Sequence, residues 1–91
     1  MNKEILQKAI ETYGVESQVD VCIEEMSELT KALIKDRRSY GNSHEAWKNV
    51  AEEIADVKIM LEQLEMIFEC KEKVQEQIEF KVNRLGERLE A

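Results

Sequence analysis

Residues 22–29 read CIEEMSEL and residues 50–57 read VAEEIADV, the same order of apolar, small and acidic positions written twice. Each copy carries two carboxylates three residues apart, Glu25 with Glu28 and Glu53 with Asp56. On an α-helix that spacing places both side chains on one face, with Cβ atoms about 5–6 Å apart. Two such helices side by side offer four hard oxygen ligands. That donor set suits Mg²⁺ or Mn²⁺, and Mg²⁺ commonly completes its octahedron with water and substrate phosphate oxygens. The chemistry implied is metal-dependent reaction at a phosphate.

The ordinary alternative for acidic helix residues is a solvated face. Such faces usually answer each Glu with a Lys or Arg four residues on, and these helices do the reverse. Glu24 precedes Glu28, and Glu52 precedes Asp56, at that spacing; each like-charge pair costs roughly a few tenths of a kcal/mol in an isolated helix. Glu25, Glu53 and Asp56 are followed at the fourth position by Leu29, Val57 and Met60, so no cation on their own helix meets them there. Such crowding is expected where a bound cation would compensate for it. Glu24 and Glu52, beside the two pairs, are candidates for accepting a proton from an attacking water.

The elements that must position these acids are legible from the chain's few breakers. The 91 residues include no proline and three glycines, and Glu, Lys, Leu, Ile and Ala dominate, an all-helical composition of one domain spanning residues 1–91. The first helix is predicted from about Asn2 to Tyr13, with Gly14 as its stop. Ser17 reads as the cap of the second, with Asp20 as the acidic arm of a capping box. A stripe of Cys22, Met26, Leu29 and Leu33 then runs to the polar loop Arg37–Ser43. Ser43 caps a third helix whose stripe is centred on Val50, Ile54, Val57 and Leu61 and which continues to Phe68. A single helix from residue 44 to 90 would be about 70 Å long, so a turn is placed near Glu69–Glu72. The fourth helix aligns Val74, Ile78, Val82, Leu85 and Leu89. The expectation is an antiparallel bundle of about four helices, with the second and third bringing the acidic pairs face to face.

Charge and cysteine content narrow the classes further. A net charge of −7 argues against general nucleic-acid binding, which needs a basic surface. Cys22 and Cys70 are too few for a disulfide framework, and Cys22 falls on an apolar stripe as a buried free thiol does. No stretch resembles a signal peptide or a membrane span. The expected setting is cytoplasmic, soluble and reducing.

Glu25-x-x-Glu28, a spacer of 24 residues and Glu53-x-x-Asp56 together resemble the ExxE…ExxD signature of MazG-like nucleoside triphosphate pyrophosphohydrolases, of the all-α NTP pyrophosphatase superfamily. The likeness covers most of the chain and is closest to short single-domain bacterial and phage forms. It implies a hydrolase that cleaves a nucleoside triphosphate between the α and β phosphates, giving the monophosphate and pyrophosphate. It also implies Mg²⁺ on Glu25, Glu28, Glu53 and Asp56, and a C-terminal basic pair for the phosphates, matched by Lys81 and Arg84 in KVNRL. Larger members often carry a second arginine where this chain has Leu85. Assembly as a homodimer or homotetramer is implied as well, in line with the limited core of a chain this short.

Two other classes stay in view. A ferritin-like di-iron bundle needs Glu-x-x-His ligands, and His44, the sole histidine, lies outside both motifs. A non-catalytic helical interaction module needs no metal at all. Among lesser candidates, Tyr40 and Trp47 flank the loop where a base could stack, though the position of Trp47 near Val50 reads as core. Lys48 and Arg88 read as surface cations, and Arg37 and Arg38 as favourable partners of a helix C-terminus.

Overall fold

The computed structural model describes residues 1–91 and contains four α-helices and no strands: α1 (Lys3–Tyr13), α2 (Val15–Arg38), α3 (His44–Ile67) and α4 (Lys71–Glu90). No helix is long and apolar enough to cross a membrane. The side-chain oxygen of Asn2 accepts hydrogen bonds from the backbone N–H groups of Glu4 and Ile5, which starts α1. Gly14 ends it at φ 92°, a conformation that suits glycine. The second helix begins directly afterwards at Val15, with no side-chain cap. Ser17 and Asp20 therefore lie inside α2 and form no capping box, because Gly14 turns the chain so tightly that no extended cap residue is needed.

The loop is shorter than the polar run suggested. α2 continues through Arg37 and Arg38, whose charges favour a helix C-terminus, and the turn occupies Ser39–Ser43, with Tyr40 and Gly41 at positive φ. Ser43 then caps α3 as expected, its Oγ accepting from the N–H of Ala46 at 3.1 Å, an arrangement worth about 1 kcal/mol. The turn after α3 falls at Phe68–Cys70, with Glu69 at φ 50°.

α2 and α3 form a long antiparallel hairpin and make the most extensive helix contact. α1 packs on both of them and buries Leu6 and Ile10. α4 touches α3 alone and has no buried residue. Glu62 joins three helices, lying 3.9 Å from the ammonium of Lys3 on α1 and 3.6 Å from that of Lys71 on α4.

The hairpin seam differs from the expected apolar stripe. Cys22 and Ala32 are buried with Gln18 on α2, and Val57 and Met60 with Gln63 on α3. Met26 and Leu33, expected at the centre of the stripe, remain 41% and 46% exposed. Trp47, read from its position as core, is 62% exposed and stacks on His44 with ring centroids 5.4 Å apart. Both helices are rolled toward their polar flank, so Cys22, Ala32, Val57 and Met60 share the seam with two glutamines while Met26 and Leu33 face outward. The roll allows the acidic positions to approach each other.

Candidate metal centre

The rolled seam brings the two acidic motifs together. Glu25 of α2 meets Glu53 and Asp56 of α3, one carboxylate oxygen of each lying within 4.8 Å of the others. Glu25 and Glu53 are partly buried in the seam, and Asp56 is open to solvent. Two carboxylate oxygens bound at about 2.1 Å to one Mg²⁺ lie no more than roughly 4.2 Å apart, so the three groups are close to a single-ion spacing. A buried oxygen of Glu53, Oε2, has no hydrogen-bond partner. Buried carboxylate oxygens are rarely left unpaired, and a cation held by the cluster would supply the partner this one lacks.

The electrostatics agree with that fit. The Glu25 carboxyl is pushed above its ordinary value, first by loss of solvent and then by the charges of Asp56, Glu53 and Glu28. Glu53 is raised by the same loss of solvent, then by Asp56, Glu28 and Glu52. Every charged neighbour that moves these two groups is an acid. Both are raised in the folded state, so folding takes up protons near and above the ordinary glutamate value of 4.5. Their contribution favours the folded state at low pH and is lost as pH rises through the raised values. The metal-free protein is therefore expected to gain stability as pH falls from neutrality toward the ordinary glutamate value of 4.5. Thermal melts in chelator-treated buffer at stepped pH check this, and a melting temperature that falls steadily across that window contradicts it.

The remaining positions named from the sequence lie elsewhere. Glu28 contributes its field to Glu25 and Glu53, but its side chain is half exposed and pairs with Lys31 at 3.5 Å. Three carboxylates converge, not four. Glu24 and Glu52 are exposed, and Glu52 borders an open polar groove of about 590 Å³ shared with Lys35, Lys48 and Asn49. Lys81 and Arg84 are not brought to the cluster within one chain. They sit on α4, which packs only on α3 near the turn; Lys81 borders a surface groove with Cys70 and Lys73, and the Arg84 guanidinium lies 5.5 Å from the centre of the Phe80 ring on its own helix. The apolar side of the centre was not apparent from the spacing: Val21, Ile59 and Met60 line a small cavity of about 150 Å³ with Glu25 and Asp56. The signal was available, since Val21 and Ile59 fall on the same helical flank as the acids.

Fold and site define an all-α protein with a carboxylate cluster across a helical hairpin. No family model, curated protein or solved structure matches the chain.

Proposed function

We propose that this protein is a Mg²⁺-dependent nucleoside triphosphate pyrophosphohydrolase, cleaving between the α and β phosphates to release the monophosphate and pyrophosphate. The observation that carries the reading is the convergence of Glu25, Glu53 and Asp56, one of which, Glu53, has a buried oxygen without a partner, with no cation among the charges that shift Glu25 and Glu53. The repeated ExxE…ExxD pattern and its resemblance to MazG-like enzymes support it and supply the reaction.

Glu25, Glu53 and Asp56 would hold the ion, and Glu28, one turn along α2, adds negative field beside them. Mg²⁺ held there would supply neutralisation of triphosphate charge and a water of lowered pKa. Glu24 or Glu52, both exposed beside the cluster, would accept the proton of the water that attacks the α-phosphorus, with pyrophosphate as the leaving group. Lys81 and Arg84 of α4 bind the departing phosphates, and because α4 lies away from the cluster in its own chain they do so in a homodimer or homotetramer. The expected setting is cytoplasmic.

The exposed apolar surface of the hairpin favours the alternative, a non-catalytic helical interaction module. Incubation with Mg²⁺ and a panel of canonical, deoxy and modified nucleoside triphosphates separates the two. Stoichiometric monophosphate and pyrophosphate are expected; orthophosphate with a diphosphate product, or no turnover on any substrate, rejects the pyrophosphohydrolase.

A further inference from the structure

One side of the α2–α3 hairpin changes character along its length. At about 100° per residue, positions seven apart return to within roughly 20° of one another, so Val21, Glu28 and Lys35 share a flank of α2, and Glu45, Glu52 and Ile59 a flank of α3. These two flanks face the same way. Lys35 borders one groove with Lys48, Asn49 and Glu52, and Val21 borders another with Asp56 and Ile59. Because the helices are antiparallel, an apolar end at Val21 and Ile59 leads past the carboxylate cluster to the polar groove of about 590 Å³ beside the Ser39–Ser43 turn.

That groove adjoins the cluster. Glu52 borders it and also acts on Glu53, and Asn49 stands about one helical turn, roughly 6 Å, before Glu53. Its cations are unengaged. Lys31 pairs with Glu28, whereas Lys35 and Lys48 take part in none of the chain's ion pairs, although Glu45 and Glu52 line the same groove. Both lysines are exposed, and an ammonium on a flexible four-carbon stem is a point charge of the kind that binds phosphate. The Ser43 hydroxyl accepts from the N–H of Ala46 and keeps its own proton to donate. At the other end, the cavity of about 150 Å³ bordered by Val21, Ile59 and Met60 has no cation in its lining.

We propose that the groove beside the turn holds the terminal phosphates of the substrate, with Lys35 and Lys48 as their cationic partners, so that the polyphosphate lies toward the turn and the nucleoside toward Val21 and Ile59. The assignment rests on the triphosphate reading above and gives the substrate a direction along the hairpin. Both lysines belong to the chain that carries the acids, so they act without any contribution from Lys81 and Arg84 of α4. Inorganic pyrophosphate with Mg²⁺ reproduces the part of the substrate assigned to the groove.

Titration calorimetry with inorganic pyrophosphate in excess Mg²⁺ tests it. Lys35→Gln and Lys48→Gln are each expected to weaken pyrophosphate binding by about fivefold or more, the loss of roughly one charge-assisted contact, and to raise KM for the triphosphate by a similar factor. Lys58→Gln removes the same charge about 200° around α3 from Asp56 and is expected to stay within about twofold of wild type. Ile59→Ala, at the nucleoside end, is expected to leave pyrophosphate binding within about twofold. A wild-type chain that binds no pyrophosphate at about millimolar concentration overturns the inference, as does equal binding by wild type and both groove variants, or an equal loss in Lys58→Gln. A larger loss in Ile59→Ala than in either groove variant reverses the direction and overturns it too. Pyrophosphate binding needs no turnover, so binding that depends on Lys35 and Lys48 in a chain that hydrolyses no triphosphate counts against the enzymatic reading alone. Hydrolysis whose KM is unchanged in Lys35→Gln and Lys48→Gln counts against the groove alone.

Discussion

Glu53→Gln and Asp56→Asn are each expected to lower Mg²⁺-dependent pyrophosphate release by about 10²–10⁴-fold while leaving the helical content unchanged. The magnitude follows from the metal's contribution of several kcal/mol to stabilising transition-state charge, at 1.36 kcal/mol per tenfold in rate. The fold is spared because each substitution keeps the side chain's shape and removes a charge repelled by its neighbours: Glu53 is raised by loss of solvent and then by Asp56, Glu28 and Glu52, and no cation offsets them. Glu25→Gln is expected to match them, since its carboxylate converges on the same point. Glu28→Gln is expected to lose less, because that side chain stands outside the convergence and pairs with Lys31. Steady-state rates with circular dichroism on each variant check the series. Activity within a few-fold of wild type for both Glu53→Gln and Asp56→Asn removes the metal centre from the reaction, and a Glu28→Gln loss equal to theirs makes Glu28 a full ligand.

Mg²⁺ is expected to raise the melting temperature by roughly 10–20 °C when its concentration is a hundred times its dissociation constant. A ligand that binds only the folded state contributes about 2.7 kcal/mol at that excess, and a domain of this size gains about 4–8 °C per kcal/mol. The physical source is compensation of the lost solvent and of the acidic crowding that together raise Glu25 and Glu53, with a partner for the buried Glu53 Oε2. Glu53→Gln is expected to melt slightly higher than wild type without metal and to lose most of the Mg²⁺ response. Melts at matched ionic strength decide it. An equal shift with NaCl, or an undiminished Mg²⁺ response in Glu53→Gln, reduces the cluster to a screened acidic surface.

Helix number, order and approximate ends came from local rules that tertiary packing did not disturb. Ser43 before a polar-to-apolar transition, and Gly14 after Tyr13, act through their own backbone conformations. The motif spacing likewise put Glu53 and Asp56 on one face of α3, because i,i+3 geometry belongs to the helix itself. The start of α2 escaped local reasoning: a capping box at Ser17 and Asp20 was plausible by residue type, but Gly14 let the helix begin at Val15.

What only the tertiary structure decided is the rotation of each helix about its axis. An amphipathic stripe states that one face prefers burial, not which part of it meets which neighbour. Here the apolar arcs of α2 and α3 are wider than the seam, and the seam occupies one edge of each. Cys22 is 1% exposed while Ile23, the next residue, is 57% exposed. That rotation brings Glu25 to Asp56, turns Trp47 outward and leaves Glu28 with Lys31. The direction of α4 was equally hidden. Its Val74–Leu89 stripe is regular in sequence, but the turn at Glu69 directs it away from the hairpin core, which separates Lys81 and Arg84 from the acids. Local preferences act over one helical turn; the angles between helices depend on how all their surfaces are covered.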